Sequence, residues 1–386
     1  MLIVKLALRN LLGAGLRTWL NVLVLSTSFI IIIWTKGLLE GWNRQAKADM
    51  IKWEMAGGQY WHRDFNPYEP MSLARSHGPI PAGFAGKEIV PVLMAQGTIY
   101  PEGRMLPLTI RGIPPDQEIL ELPTAGLVSE NGDIPALLGS AMAESARLDE
   151  GDYVTLRWRD KNGTYDAMRV RVASIFKTSV PTVDVGQIWI PIETLQSMLM
   201  LPGEATIIIS GSESPELSGS EIWIFRDRKF LMADLDRMIK AQKSMGTIMW
   251  LILLMMAMLA VFDSQVLSIF KRQKEIGTYV ALGMTQPQVV KLFTLEGALH
   301  SVLAVFVAAI YGIPVLIMQA SNGISIPLNS SDFGVSMTEK LYPVYSAGLI
   351  AGTIATVLFV TMVVSYLPAR KIALLNPTDS LTGRLQ

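Results

Sequence analysis

The stretch Lys271-Arg-Gln-Lys-Glu-Ile-Gly-Thr-Tyr-Val-Ala-Leu-Gly-Met-Thr-Gln-Pro-Gln-Val-Val-Lys-Leu-Phe293 decides how the rest of the chain is read. It is basic at its entry, through Lys271, Arg272 and Lys274, and it lies between two long apolar runs. Ile276, Val280, Val289, Leu292 and Phe293 give it an apolar side, Gly283 permits a sharp bend, and Pro287 suits the first turn of a following helix. The pattern predicts a short helix, a bend and a second helix wedged between two membrane spans. On the positively charged side of a membrane, such a segment is placed to dock on a cytosolic partner.

Working outward, the composition agrees with a membrane protein. Half of the 386 residues are hydrophobic, only 17% are charged, and the mean hydropathy is +0.36, more apolar than an ordinary soluble chain. The formal net charge is zero, so nothing draws the whole molecule to nucleic acid. There is no cysteine, which excludes disulfides and cysteine-based zinc or redox sites.

Residues 1–17 carry Lys5, Arg9 and Arg17 among leucines and predict a basic amphipathic helix on a membrane face. A first span is expected over 18–40; with no small-residue cleavage pattern after it, it reads as a retained span rather than a signal peptide. Residues 41–243 are richer in Pro, Gly and charge and predict one folded α+β domain of about two hundred residues, large enough for its own core. Strands are expected at 105–111, 153–158, 168–176, 187–191, 206–210 and 221–225, helices at 141–146, 192–199 and 229–243, and a loop at 213–220. Further spans are expected at 244–270, 296–320 and 344–367, the third with Gly312 and Pro314 at a potential kink. A short polar loop, 321–343, joins the last two, and 368–386 forms a tail. The basic residues Lys5, Arg9, Arg17, Lys271, Arg272, Lys274, Lys291, Arg370, Lys371 and Arg384 fall on the side of the termini, against Lys340 in the loop after the third span. By the positive-inside rule, the termini and 271–293 are cytoplasmic and the large domain is outside.

The run RQKEIGTYVALGMTQPQVVKLFTLEGAL, from Arg272 to Leu299, resembles the segment after the second span of MacB/FtsX/LolC-LolE-type ABC permeases. There a basic pair and Glu-Ile-Gly precede a glycine-containing turn and a helix; Arg272, Glu275, Gly277, Ala281, Gly283, Leu292 and Glu296 fall on that pattern. Leu367-Pro-Ala-Arg-Lys-Ile-Ala-Leu-Leu-Asn-Pro-Thr-Asp-Ser-Leu381 is similar to the family's closing pattern, and LALRNLL…LRTWLNVLVL near the N-terminus to its first helix and span. Three stretches of the large domain, 58–68, 138–156 and 188–203, look like the LolC-LolE branch. The first departs from it, with Gln-Tyr-Trp-His at 59–62.

The resemblance implies four transmembrane helices with a large extracytoplasmic domain between the first two, in a bacterial inner membrane. It implies a permease half that pairs with a second copy, identical or homologous, and engages a cytosolic ABC ATPase dimer. Arg272, Glu275, Gly277, Ala281, Gly283, Met284 and Gln288 would form the coupling segment. ATP-driven movement of the first two spans would then be transmitted to the periplasmic domains. Lipoprotein release is the nearest branch. Export of antibiotics, peptides or amphiphiles, as in MacB, and regulation of cell-wall hydrolases, as in FtsX, are the alternatives. The implied partners are thus the ATPase, the second permease, membrane lipid, and lipoproteins or a periplasmic protein.

The residues suggest no enzyme. No Gly-x4-Gly-Lys-Ser/Thr sequence is present, so ATP and Mg would be bound by the separate ATPase and no cofactor directly by this chain. Leu217-Ser-Gly-Ser-Glu221 looks like an ABC signature but has no Walker motif beside it. His62, His77 and His300 have no metal-ligand spacing, and there is no Gly-x-Ser-x-Gly elbow. Asp263 lies in the second span, where a central Asp costs about 2.5–3.5 kcal/mol; a hydrogen-bonding patch between helices is the plainer reading, a proton or ion role the sharper one. Met198, Leu199, Met200 and Leu201 form a candidate substrate or interface surface, for which core packing is the plainer reading. Trp19, Trp34 and Trp250 sit near span ends as interfacial anchors do.

Overall fold

The structure, a computed structural model, describes residues 6–7, 15–81, 88–128, 132–213, 221–324 and 340–373. The amphipathic helix expected over 1–17 falls mostly outside them. So do most of the loops expected over 213–220 and 321–343 and the tail beyond 373. The chain divides into two units, Met1–Trp42 with Ile239–Ile324 and Leu341–Gln386, and Asn43–Met238 with Ser325–Lys340.

The first unit is helical. Among the described residues, four helices are long and apolar enough to cross a membrane: α1 (Leu16–Met50), which continues as a π-helical stretch Ile51–Met55, α4 (Ala233–Lys271), α6 (Gln286–Asn322) and α7 (Ala347–Ala373). The short α5 (Gln273–Ala281) lies between the second and third. Val22, Leu25, Phe29 and Ile32 recur at three- and four-residue steps along α1. They meet Leu254, Ala257, Met258 and Val261 of α4, Ala304 and Ala308 of α6, and Val357 of α7 in one buried cluster. This is the stripe a helix buries against neighbours. The opposite faces are equally apolar: Leu20, Leu23 and Ile31 on α1, Ile248, Leu251, Met255 and Leu259 on α4, and Phe306 and Ile310 on α6 are all exposed. A helix apolar all round belongs in lipid, so this is a multi-pass membrane protein with four candidate spans.

Where lipid is as apolar as leucine, close packing and hydrogen bonds hold helices together. Gly297 of α6 is such a contact: a Cβ there would run into the Ser365 side chain of α7 and come within 3.3 Å of the Gln265 amide of α4. At another level, Lys36 of α1 lies over the Trp250 ring of α4 at 4.2 Å, and Glu40 pairs with Lys243 at 3.4 Å. Pro314 sits inside α6, which runs through it as one helix.

The described residues of the second unit form eleven strands: β1 (Gly58–His62), β2 (Gly78–Pro79), β3 (Ile89–Ile99), β4 (Leu106–Ile113), β5 (Ile134–Gly139), β6 (Tyr153–Arg159), β7 (Tyr165–Phe176), β8 (Gln187–Pro191), β9 (Glu204–Ala205), β10 (Ile207–Ser210) and β11 (Trp223–Asp227). The order β3-β4-β8-β5-β7-β6 closes on itself, because β6 also pairs with β3 through Thr98↔Arg157 and its neighbours. β10, β1 and β11 extend the sheet from β3, and β2 pairs with β9. Two helices, α2 (Ser140–Ala146) and α3 (Ile192–Leu199), cover parts of it.

Along β3, Leu93, Ala95 and Ile99 face one cluster, with Leu156, Trp158, Val172 and Ile190. Val90, Val92 and Met94 face the other, with Leu137, Phe176 and Trp189. Each fully buried side chain of this size contributes about 1.5–3 kcal/mol. The strands expected near 105–111, 153–158, 168–176, 187–191, 206–210 and 221–225 are present within a few residues. β3 and β5 were not expected. The helix expected over 229–243 is a single turn, Arg228–Leu231, followed by the start of α4.

Candidate functional site

The segment between α4 and α6 is built as its sequence suggests. α4 ends at Lys271; Arg272, with φ −105° and ψ 19°, breaks the helix, and α5 follows. The chain then turns at Gly283, whose φ is +97°. Thr285 caps α6 through a capping box with Gln288, which satisfies two backbone amides that would otherwise lack acceptors. The second helix of the expected pair is not separate: α6 runs unbroken from Gln286 into its apolar span.

A small core holds α5 down. Ile276 of α5 packs with Ile269 of α4, Val289 and Phe293 of α6 and Ala369 of α7, with Val280 and Met284 against them. Arg272 fixes the fold of the segment. Its Nη1 donates to both Glu296 carboxylate oxygens at 3.0 Å, and its Nε donates to Glu275 at 2.7 Å. The guanidinium also lies 5.2 Å from the centre of the Phe293 ring. Burial alone would lower the Arg272 pKa, but the Glu296 charge and the bonds to Glu275 and Glu296 outweigh it, and the pKa is raised. A His300 ring nitrogen meets the Glu296 carbonyl at 2.8 Å.

Of the expected coupling residues, Glu275, Ala281, Gly283 and Gln288 are exposed, Met284 is half-buried, and Gly277 is buried. Arg272 is turned inward to Glu296. Lys274, Thr278 and Leu282 complete an exposed face, with Leu282 79% exposed. The backbone at Gly283 suits glycine alone, while a Cβ there would meet nothing within 4 Å. Gly283→Val should therefore cost about 1–2 kcal/mol of local conformational energy with no clash. We expect faster amide exchange across 273–288 and unchanged exchange in α7.

The other candidates scatter. Asp263 is exposed on α4, whereas the buried polar groups where α4, α6 and α7 meet are Gln265, Ser301, Thr361 and Ser365. The row at 198–201 divides: Leu199 and Leu201 are buried, Met198 packs against their cluster, and Met200 is 49% exposed. Leu199 and Leu201 also line a cleft of about 240 Å³ with Met71, Met94 and His77, and His77 meets Glu204 at 2.5 Å. Among the described residues no cluster of potential metal ligands occurs.

Sequence reasoning missed a second polar centre. In the β-rich unit, the buried Arg111 of β4 donates to Gln187 at 2.8 Å and to the Thr182 carbonyl at 3.3 Å, and lies 3.9 Å from Glu54 in the π-helical extension of α1. Burial lowers its pKa, and Glu54 partly restores it. Glu54 in turn accepts from the Thr182 hydroxyl at 2.6 Å. Lys52–Glu121 at 2.9 Å, a Ser179–Asp49 hydrogen bond, and Trp53 stacked 5.6 Å from Phe176 add to the same attachment. A charged residue within an otherwise apolar strand was the available signal.

The family model described as FtsX-like permease C-terminal matches residues 247–377, which takes in most of α4 and all of α5, α6 and α7. A comparison with curated proteins finds no match. The matched region contains the Arg272–Glu296 pair, the turn at Gly283 and three of the four candidate spans. Residues 247–377 therefore match the C-terminal domain of FtsX-like permeases, the membrane subunits of MacB–FtsX type VII ABC transporters.

Proposed function

We propose that this permease subunit drives lipoprotein release at a bacterial inner membrane, with a separate ATPase dimer as its motor. The observation that carries the coupling half of this reading is the α5–turn–α6 element. It is held by its own core and by Arg272–Glu296, and it leaves Lys274, Thr278, Ala281 and Leu282 on an exposed face. Permeases of this family lack an ATPase domain, and this sequence has no P-loop. ATP and Mg would thus be held by the partner, and Leu282 with the Gly283 turn would seat in a groove of that partner.

Each permease would pair with a second copy, identical or homologous, with both termini cytoplasmic and the β-rich unit periplasmic. The continuity of α1 and α4 supports transmission of force: each helix belongs to the membrane unit at one end and to the β-rich unit at the other. The lipoprotein assignment draws on the resemblance of 58–68, 138–156 and 188–203 to the LolC-LolE branch. Leu199, Leu201 and Met71, around the 240 Å³ cleft, are candidates for an apolar contact with cargo.

The test is purification of the full chain from its native membrane in mild detergent, with identification of what accompanies it by mass spectrometry. An ATPase with a second, different permease and bound lipoproteins is the expected result. One permease species with an adaptor, or with a cell-wall hydrolase, would replace lipoprotein release by export or regulation. Absence of any ATPase would overturn the coupling assignment.

A further inference from the structure

The start of α6 and the last turns of α7 frame an open cleft of about 500 Å³. Val290, Leu295, Ala298 and Met362 supply apolar lining, and Lys291, Tyr366 and Arg370 supply polar groups. Among the described residues no carboxylate lines it. Lys291 and Arg370 are both exposed, and among the described residues neither forms an ion pair. Thr294 also lines the cleft; it is 6% exposed, and its hydroxyl has no hydrogen-bond partner. Two unpaired cations over an apolar wall suit an anionic molecule.

The level of the cleft narrows what that molecule is. Arg370 is the last residue of the fourth candidate span, and Lys291 lies in the second turn of α6, near the start of the third. Two cations and a tyrosine at the end of paired spans, above an apolar wall, match a lipid at the membrane surface: the ring sits at head-group depth and the cations meet phosphate. A neutral ligand would leave both charges unused. Met362, unbranched and 53% exposed, adapts to a flexible chain.

We propose that this cleft is a specific site for an anionic phospholipid, with its phosphate between Lys291 and Arg370 and an acyl chain along Leu295 and Met362. The proposal rests on the four helices spanning a bilayer, and it is independent of what the transporter moves. Because α6 also carries Val289 and Phe293 of the α5 core, a lipid here would brace the helix against which the coupling segment packs.

The test uses the full-length chain, with whatever subunits accompany it, in nanodiscs of equal parts phosphatidylglycerol and phosphatidylcholine. Native mass spectrometry then counts the lipids retained on release. Phosphatidylglycerol should be retained roughly tenfold over phosphatidylcholine, as two basic side chains at a membrane surface imply. Lys291→Gln with Arg370→Gln should abolish the preference. Met362→Trp, which keeps both charges, should reduce retention of phosphatidylglycerol by narrowing the cleft. Equal retention of both lipids by the native chain would overturn the proposal. So would displacement of phosphatidylglycerol by excess inorganic phosphate, which would mark a small-anion site. A stably bound protein subunit covering Lys291 and Arg370 and excluding lipid would overturn it too.

Discussion

Glu296→Ala should destabilise the membrane unit by about 3–5 kcal/mol, the usual result of stranding one member of a buried ion pair. The Glu296 side chain is 4% exposed and that of Arg272 18%, so water reaches the pair poorly and solvent screening does little to soften the loss. The two 3.0 Å bonds from one guanidinium nitrogen are charge-assisted, which places them among the stronger hydrogen bonds. With Glu296 truncated, Arg272 keeps only Glu275, whose side chain is 54% exposed, and the end of α4 loses its tie to α6. Arg272→Ala strands Glu296 instead and should cost a similar amount. The double variant Arg272→Met with Glu296→Leu should recover most of the loss, since a buried pair replaced by apolar groups of similar volume is often neutral. Thermal unfolding of the solubilised chain measures all three. A loss of under about 1 kcal/mol in the single variants would mean that the pair behaves as an exposed one. The recovered double variant carries a second reading: if its partner ATPase is no longer stimulated, the pair sets the position of α5 rather than only its stability.

The membrane half of the fold was legible because its signal is local. Each span is an apolar run long enough by itself, and the turn between α5 and α6 is announced by Gly283, Thr285 and Pro287 within five positions. What the segment holds on to was not legible. Arg272 and Glu296 are 24 residues apart, and only the folding back of α5 onto α6 brings them together. Glu296 and Arg272 were both marked as positions on the family pattern, but their pairing was not.

The β-rich unit was less readable, and β3 shows why. Its sequence, Ile89-Val-Pro-Val-Leu-Met-Ala-Gln-Gly-Thr-Ile99, contains a proline and a glycine, which argue against a central strand. The structure accommodates Pro91 because β3 changes partners along its length. It pairs with β10 over 89–92 and with β4 over 93–99, so Pro91 lacks the neighbour on its β4 side. Gly97 faces the opposite constraint, since a Cβ there would press on the Ile110 side chain and come within 3.2 Å of the Arg157 carbonyl, where β6 closes the ring. Both faces of β3 are buried, which removes the alternation of apolar and polar residues by which a strand is recognised. The apolar row at 198–201 divides for a local reason. α3 ends at Leu199 and Met200 adopts a left-handed conformation with φ 58°, so Leu199 and Leu201 turn inward while Met200 turns out.

Arg111→Ala should cost the β-rich unit about 3 kcal/mol, and Glu54→Gln only about 1 kcal/mol. The difference follows from distance. Arg111 makes its close bonds to Gln187 at 2.8 Å and to the Thr182 carbonyl at 3.3 Å, while the Glu54 oxygen is 3.9 Å away. Losing the guanidinium removes those bonds together with its contact over the Trp189 ring, 5.0 Å away, and leaves the Gln187 and Thr182 oxygens without their donor. Losing only the Glu54 charge leaves Arg111 its neutral acceptors, and a glutamine retains an oxygen for the Thr182 hydroxyl. Arg111→Lys should resemble Arg111→Ala more than the native chain, because an ammonium cannot reproduce the planar fork that reaches both acceptors. Denaturant unfolding followed by tryptophan fluorescence, with Trp189 and Trp53 as reporters beside the site, orders the three variants. A Glu54→Gln loss equal to that of Arg111→Ala would mean that the ion pair, not the neutral bonds, holds the site. The functional consequence concerns the extension of α1. Glu54 hangs from the same Thr182 that Arg111 holds, so this guanidinium, with Lys52–Glu121 and Trp53 on Phe176, is one of the ties on the π-helical end 51–55. If the permease transmits force as proposed above, loosening that attachment while the membrane unit stays folded should leave ATP hydrolysis by the partner intact and reduce the work delivered to the β-rich unit, a separation that a variant in the α5 turn would not produce.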